Sequence, residues 1–215
     1  MIFDTKTHAK TELILRRAAV ELSRADTVMG SLIERIGPCE LSLARRGHYF
    51  RALVEAIVYQ QLAGKAAAAI LARFRTLYPS GRFPAAQEIE DTPDRRLRSA
   101  GLSPQKLSYI RDLSGRVLDG SFHLRSLASM EDEAVVEHLT QVKGIGRWTA
   151  EMFLIFTLGR PDVLPLNDLG ILKAVQRSYG FGRLPAARTL ERMGRKWRHY
   201  RSVASWYLWA SVDGK

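Results

Sequence analysis

The sequence predicts an all-α fold, and three observations favour it. Apolar residues recur at the 3.6-residue spacing of a helix along most of the chain, as in Leu53, Val54, Ile57 and Val58. Residues that typically begin or end helices flank these segments. No two segments alternate apolar and polar residues around a short turn, as the strands of a β-hairpin do. We therefore expect helices joined by short loops.

The N-terminal part of the chain is predicted to form four helices. Their apolar stripes run over residues 15–22, 29–36, 50–58 and 70–78. Gly37-Pro38 ends the second helix, because proline cannot continue it. Gly64 marks a break between the third and fourth helices, and Pro79-Ser80-Gly81 ends the fourth.

Polar caps predict three further helices. Thr92-Pro93 and Ser103-Pro104 each match a capping residue followed by proline at the first helical position. Ser129, followed by Asp132, is expected to cap the next helix.

The C-terminal part is predicted to be helical as well. Residues 149–158 are apolar on nearly every side, so we expect a deeply buried helix that Gly159 ends. Two more helices are expected to begin near Asp168 and Pro185, and the last runs toward Trp209.

Length and composition are those of a globular protein. A chain of 215 residues with 46% hydrophobic content can form one domain or two small lobes. No segment approaches the roughly 18 consecutive apolar residues of a membrane span. The polar start of the chain lacks the apolar stretch of a secretory signal. A single cysteine, Cys39, excludes an internal disulfide and a four-cysteine iron–sulfur cluster. We expect a cytoplasmic protein, associated with the nucleoid in a bacterium, or a nuclear one in a eukaryote.

The net charge of +11 indicates a polyanionic partner. Basic residues concentrate near the C-terminus, where Trp197 and Tyr200 lie among them. These basic residues are Arg183, Arg188, Arg192, Arg195, Lys196, Arg198 and Arg201. A solvated helix face would have the same pattern, so charge alone does not identify nucleic acid as the partner.

The segment Val142–Ala150 contains Gly144-Ile145-Gly146 between two predicted helices. Two glycines around one apolar residue allow a sharp turn that brings backbone N–H groups up to an anion. A plain turn between helices would also suit two glycines. With Lys143 and Arg147 on either side, the pattern favours a helix–hairpin–helix that binds a DNA phosphate whatever the base sequence.

One carboxylate, Asp168, is predicted at the start of the next helix, in the sequence Pro165-Leu166-Asn167-Asp168. An aspartate at this place is commonly a helix cap. Asn167 could cap instead, which would leave the Asp168 carboxylate for chemistry, and a helix N-terminus stabilises the charged form. Beside bound DNA, such a carboxylate can stabilise an oxocarbenium-like sugar and orient or deprotonate the attacking water.

These segments together resemble the helix–hairpin–helix, Gly/Pro-rich loop, Asp superfamily of DNA glycosylases. Within it, the chain is most similar to the 3-methyladenine DNA glycosylase II branch. The resemblance covers residues 50–209, and three segments carry it: residues 57–62 (IVYQQL), 144–150 (GIGRWTA) and 201–209 (RSVASWYLW). It implies a two-lobed helical fold and hydrolysis of the N-glycosidic bond of a flipped-out alkylated purine.

The resemblance also implies roles for particular residues. Asp168 occupies the position of the family's catalytic aspartate. Aromatic residues would line the base pocket, namely Trp148, Trp209, Tyr59 and Tyr207, although one or two of the aromatics at 206–209 are expected to lie in the core. Contacts with DNA would come from Lys143, Gly144, Ile145, Gly146, Arg147, Thr149, Gln61, Leu62, Lys65 and Arg201. Either Gln61 or Leu62 would enter the gap left by the flipped nucleotide. Backbone carbonyls of Thr140, Val142 and Ile145 would hold a structural Na⁺ or K⁺ ion.

The chain departs from other members of the family in three respects. Bifunctional members carry a lysine where this chain has Trp148, so no amine is available there to form a Schiff base. Gln61 is polar, whereas some relatives insert an apolar side chain. The length of the chain and its helical start also predict no N-terminal β domain of the kind some relatives carry.

We therefore expect a monofunctional DNA glycosylase that acts as a monomer on duplex DNA and needs no cofactor for catalysis. A non-catalytic helix–hairpin–helix DNA-binding module and a bifunctional glycosylase/lyase are the alternatives. Residues 54–165 are expected to form a central lobe, with the helix–hairpin–helix at about 132–158. Residues 1–53 would pack with residues 166–215 as the other lobe, and Asp168 would line the cleft between the lobes.

Overall fold

The computed structural model describes residues 5–41 and 48–212. Within these residues it contains helices and no β-strand, which confirms the predicted all-α class. No helix in the described part of the chain is both long and apolar enough to cross a membrane. The chain divides into a terminal unit, Met1–Ala44 with Gly159–Lys215, and a central unit, Arg45–Leu158.

The terminal unit contains five of the described α-helices. They are α1 (Thr5–Ala25), α2 (Thr27–Ile36), α10 (Leu169–Ser178), α11 (Ala187–Gly194) and α12 (Arg201–Val212). Their apolar faces meet in one core, whose largest fully buried side chains are those of Trp197 and Tyr207. Since α1 and α2 pack against α12, the two ends of the chain form one body.

The central unit contains seven described α-helices. They are α3 (Tyr49–Tyr59), α4 (Gly64–Thr76), α5 (Ala86–Asp91), α6 (Asp94–Ser99), α7 (Pro104–Leu118), α8 (Asp132–Thr140) and α9 (Arg147–Phe156). The predicted lobe boundary at residue 53 would cut α3 in two. The structure keeps α3 whole within the central unit, because its apolar face packs against α7 and α9.

Helix starts match the predicted caps at some positions and not at others. Ser103 Oγ accepts the N–H of Lys106 at 3.2 Å, which confirms the predicted cap of α7. The caps predicted at Thr92 and Ser129 are wrong. Each hydroxyl donates backward to a carbonyl of the preceding helical segment, at 2.6 and 2.9 Å. Gly64 begins α4, so the break before that helix lies at the residues that precede it.

Candidate nucleic-acid interface and catalytic carboxylate

The predicted helix–hairpin–helix is present as α8, a short turn and α9. Val142 and Ile145 are buried and anchor the turn, and the Ile145 N–H donates to the Val142 carbonyl at 3.1 Å. Gly144 has a φ of 79°, a left-handed conformation that a side chain disfavours. Gly146 is the N-cap of α9, so the N-terminal end of that helix opens at the turn.

The two hairpin glycines differ in their surroundings. A Cβ on Gly144 would lie 2.1 Å from the ring of Tyr109, so the protein itself needs glycine there. A Cβ on Gly146 would meet no atom within 4 Å, and the φ of Gly146 is −91°, which any residue adopts. Packing within the protein therefore does not explain why position 146 is a glycine. The open space above it, at the positive end of α9, is suited to the close approach of an anion.

Helix α7 supports the hairpin from below. Asp112 Oδ2 accepts the backbone N–H of Lys143 at 2.9 Å and the Nε–H of Arg116 at 2.9 Å. Burial alone would raise the pKa of Asp112, but the bonds from Lys143 and Arg116 outweigh it and hold the pKa below its usual range. The N–H of Lys143 is thus already bonded to a carboxylate of the protein, and Lys143 is an exposed residue.

The loop between α3 and α4 contains the two residues predicted to enter DNA. Gln61 and the 39%-exposed Leu62 both face solvent. Gln61 has a φ of 55° and is the only non-glycine residue in the described segments with a positive φ. Such a conformation costs of order 1 kcal/mol and persists only where the surroundings impose it. The loop is therefore held in place rather than relaxed.

Two side chains hold this loop. Gln60 Nε2 donates to the Gly144 carbonyl at 2.7 Å, which joins the loop directly to the hairpin. Lys106 Nζ, on α7, donates to the carbonyls of Val58 and Gln60 at 2.6 and 2.8 Å. Burial lowers the pKa of Lys106. Sequence reasoning missed Gln60, Lys106 and Asp112, because nothing in their local pattern indicates a partner far along the chain.

The remaining predicted DNA contacts fall into two groups. Lys65 and Arg147 are exposed, although Arg147 also pairs with Glu133. Arg201 is partly buried, and Asp162 holds its guanidinium through Nε at 2.8 Å and Nη2 at 3.0 Å. Thr149 is buried, so its side chain is not a contact either. The prediction for the side chain of Thr149 is therefore corrected, and the DNA contact of Arg201 stays a prediction.

Asp168 itself caps α10, so of the two residues that could cap this helix the structure uses Asp168 and not Asn167. Its Oδ1 accepts the N–H of Ile171 at 2.8 Å and the indole Nε1–H of Trp209 at 2.9 Å. Only 7% of the residue is exposed. An aspartate at this position can serve as a cap or in catalysis. The two bonds hold the carboxylate in one orientation, and such a fixed orientation serves catalysis as well as capping.

The four predicted pocket aromatics have different surroundings. Trp148 is 50% exposed and Tyr59 is 43% exposed, so both present a ring to solvent. Tyr207 has no exposed surface and its hydroxyl donates to the Gly37 carbonyl at 3.0 Å. Tyr207 is thus a core residue, which corrects its assignment to the pocket, and burial raises its pKa to about 12. Trp209 contacts Asp168 as described above.

Gly170 allows the contact between Asp168 and Trp209. A Cβ there would lie 3.1 Å from both Asp168 Oδ1 and Trp209 Cδ1, so one of them would have to move by a few tenths of an ångström. We expect Gly170→Ala to lower the single-turnover rate of base release about tenfold, because small misplacements near the chemistry are costly. Thermal unfolding should show unchanged or slightly higher stability, since alanine is the better helix former. An unchanged rate would mean that the Asp168–Trp209 geometry is not critical.

Known proteins resemble this chain in sequence and in fold. Residues 54–199 match the family model described as HhH-GPD superfamily base excision DNA repair protein. The chain is 32% identical to DNA-3-methyladenine glycosylase 1 of Schizosaccharomyces pombe, over 97% of this chain and 92% of that protein.

Solved structures are similar over nearly the whole chain. A 3-methyladenine DNA glycosylase from S. pombe in complex with abasic DNA is 32% identical, with a TM-score of 0.80 over 90% of this chain and 95% of that one. A DNA-3-methyladenine glycosidase from Bacillus halodurans is 36% identical, with a TM-score of 0.82 over 92% of this chain and 89% of that one. The predicted resemblance is confirmed, and this chain belongs to the HhH-GPD superfamily of base excision DNA repair proteins.

Proposed function

We propose that this protein is a monofunctional DNA glycosylase that removes alkylated purines from duplex DNA by hydrolysis. The observation that carries the proposal is the Asp168 carboxylate, fixed at the start of α10 by Ile171 and Trp209. The hairpin with its open position at Gly146 supplies the DNA contact. Relatives named 3-methyladenine DNA glycosylases support the choice of substrate class.

The reaction requires one carboxylate and no dedicated general acid. A purine alkylated at N3 or N7 is cationic, so it departs as a neutral base with the electron pair of its bond to C1′. The Asp168 carboxylate stabilises the positive sugar that remains and orients or deprotonates the attacking water. The water oxygen bonds to C1′ and the proton passes to Asp168 or to solvent. An abasic site and a free base are the products.

The aromatic side chains favour a cationic base. The half-exposed ring of Trp148 offers a π-face on which a positively charged purine stacks more strongly than a neutral one. Extrusion from the duplex is also less costly for a damaged or mispaired base. The protein would therefore select an alkylated purine over a normal base in two ways, by its easier flipping and by its stronger stacking on Trp148.

A tryptophan at position 148 supports hydrolysis without strand cleavage, because bifunctional members have a lysine there. Borohydride reduction during the reaction on a lesion-bearing duplex tests this point. We expect released base and no covalent protein–DNA adduct. A trapped adduct would establish the bifunctional glycosylase/lyase instead.

Gly146 tests the proposed phosphate contact. We expect Gly146→Ala to leave thermal stability nearly unchanged, because the new methyl group meets only open space in the protein. Affinity for duplex DNA should fall about tenfold, because the methyl group occupies the place of the approaching phosphate. Gly144→Ala is the contrasting variant, and it should destabilise the protein through its clash with Tyr109. Unchanged DNA affinity in Gly146→Ala would contradict the proposed contact.

The turn also suits a monovalent cation. Helix α8 ends at Thr140, and the partial negative charge of a helix C-terminus favours a cation there. The carbonyls of Thr140, Val142 and Ile145 are hard oxygen donors of the kind that Na⁺ and K⁺ prefer. When bound, the ion would add positive charge to the phosphate-binding turn. Catalysis at Asp168 would not require it.

The alternative of a DNA-binding module without activity is less well supported. A binding module needs the hairpin, but it does not need the bond from Trp209 to the Asp168 carboxylate. Equal affinity for undamaged and alkylated duplexes, without base release, would favour that alternative. One protomer carries both the hairpin and the carboxylate, so we propose that the protein acts as a monomer, in the compartment that holds the DNA.

A further inference from the structure

A dense group of basic side chains lies in the terminal unit, on and around α10 and α11. We call this group the C-terminal basic surface, and its members are Lys173, Arg177, Arg183, Arg188, Arg192, Arg195, Lys196 and Arg198. All eight residues are exposed, and Glu191 is the one exposed acidic residue in the same stretch. The proposed function uses the hairpin, the α3–α4 loop and Asp168, and none of these eight residues.

These cations have no charged partner among the residues that the structure describes. None of the eight side chains forms an ion pair or a hydrogen bond with another residue in the described segments. Some arginines elsewhere in the described residues are paired, as Arg201 is with Asp162, Arg147 with Glu133 and Arg116 with Asp112. Clustered like charges repel one another, and a polyanion that binds them removes this repulsion. Eight exposed cations with one acidic residue among them mark the surface as one that a negatively charged partner would cover.

The scaffold holds part of this surface rigidly. Leu190 and Gly194 of α11 are buried, and a Cβ on Gly194 would lie 2.3 Å from the Leu164 side chain, so the helix packs closely on its core. Arg188, Arg192 and Arg195 follow one another at four and three residues along the chain and therefore share the opposite, outward face. These three arginines are therefore neighbours on one face of the helical segment.

We propose that the C-terminal basic surface is a second DNA-binding surface, which contacts phosphates of the duplex apart from the damaged nucleotide. Duplex DNA carries one negative charge per about 1.7 Å of its axis. A protein partner with scattered acidic residues has a lower density of negative charge, so DNA is the better match for a group of neighbouring arginines. The contact reads no base sequence, because it consists of phosphate interactions alone. It therefore also operates on undamaged DNA and keeps the protein on the duplex between lesions. This role goes beyond the proposed base excision.

The test compares two triple variants with the same loss of charge. One is Arg188→Gln/Arg192→Gln/Arg195→Gln, and the control is Arg16→Gln/Arg17→Gln/Arg24→Gln on α1. The dissociation constant for an undamaged duplex of about 30 base pairs is measured from 50 to 200 mM salt, after thermal unfolding has shown that both variants are folded. The slope of the logarithm of the association constant against log[salt] is negative, and its magnitude reflects the number of phosphate contacts. We expect the first variant to reduce this magnitude by about 2 to 3, at about 0.9 per lost phosphate contact. Affinity at the lower salt concentrations should fall more than tenfold, while the control stays close to the wild type.

Two results would overturn the proposal. One is a salt slope in the first variant equal to that of the wild type. The other is an equal change in DNA affinity and salt slope in both variants, which would show an effect of net charge alone. The surface would then bind an anionic partner other than DNA, or only water. Because undamaged DNA is the probe, the outcome does not depend on base excision. A wild-type protein that shows the expected slopes but releases no base would refute the glycosylase and leave this surface established.

Discussion

Replacing the carboxylate in Asp168→Asn is expected to lower base release by at least about 10³-fold, which is the scale of a lost acid–base group. Asparagine keeps the size of the side chain and an oxygen for the bonds from Ile171 and Trp209. Only the negative charge is lost, and with it the stabilisation of the sugar cation and the activation of water. Single-turnover release from a duplex with one alkylated purine measures the effect.

The same variant should bind DNA as well as the wild type or better. The substitution removes a negative charge that repels the phosphates, and it leaves the hairpin and the C-terminal basic surface untouched. Equal release by Asp168→Asn and the wild type would remove Asp168 from the mechanism. A loss of both folding and binding would mean that the residue serves only as the cap of α10.

The largest effect on stability is expected from Asp26→Ala, in the terminal unit. Asp26 is buried, and its Oδ1 accepts the N–H groups of Val28 and Met29 at the start of α2. Its Oδ2 accepts the Tyr179 hydroxyl at 2.9 Å and the Trp197 indole N–H at 3.1 Å. One carboxylate therefore joins α2, the end of α10 and the segment that follows α11. Burial raises the pKa of Tyr179 above its usual range, so its hydroxyl stays a donor.

Alanine at position 26 would leave buried donors without an acceptor and remove a helix cap. Each unsatisfied buried group costs about 1 to 3 kcal/mol and the lost cap about 1 kcal/mol. We therefore expect Asp26→Ala to lower the free energy of unfolding by about 4 kcal/mol. For a protein of this size, Tm should fall by roughly 10 °C or more. Tyr179→Phe, which removes one donor and keeps the carboxylate, should cost only about 1 kcal/mol. A cost below 1 kcal/mol for Asp26→Ala in urea denaturation would contradict this account.

Local patterns predicted the helices because helical spacing of apolar residues reports burial of one face directly. Four apolar residues of the α3 stripe are fully buried, namely Leu53, Val54, Ile57 and Val58. The end of α2 at Ile36, before Gly37, was also predicted correctly. Caps were less predictable. Ser103 caps the helix that follows it, whereas Thr92 bonds backward to the helix before it. A hydroxyl between two helices can serve either of them, and tertiary packing decides which.

The candidate site was predictable where its signal is a motif and not where it depends on distant contacts. Gly144, Gly146 and Asp168 stand out in the sequence by residue type and spacing. The roles of Gln60 and Asp112 do not, because each bonds to the hairpin across a long stretch of chain. Arg201 and Tyr207 show the converse. A cation and an aromatic residue suit a DNA site by chemistry, but the structure uses them for an ion pair and for the core.

The most direct test of the central claim is mass spectrometry of the bases that the protein releases from methylated duplex DNA. We predict free 3-methyladenine or 7-methylguanine from the wild type, abasic sites in the remaining strand, and neither product from Asp168→Asn. A wild-type protein that binds this DNA and releases no methylated base would contradict the account.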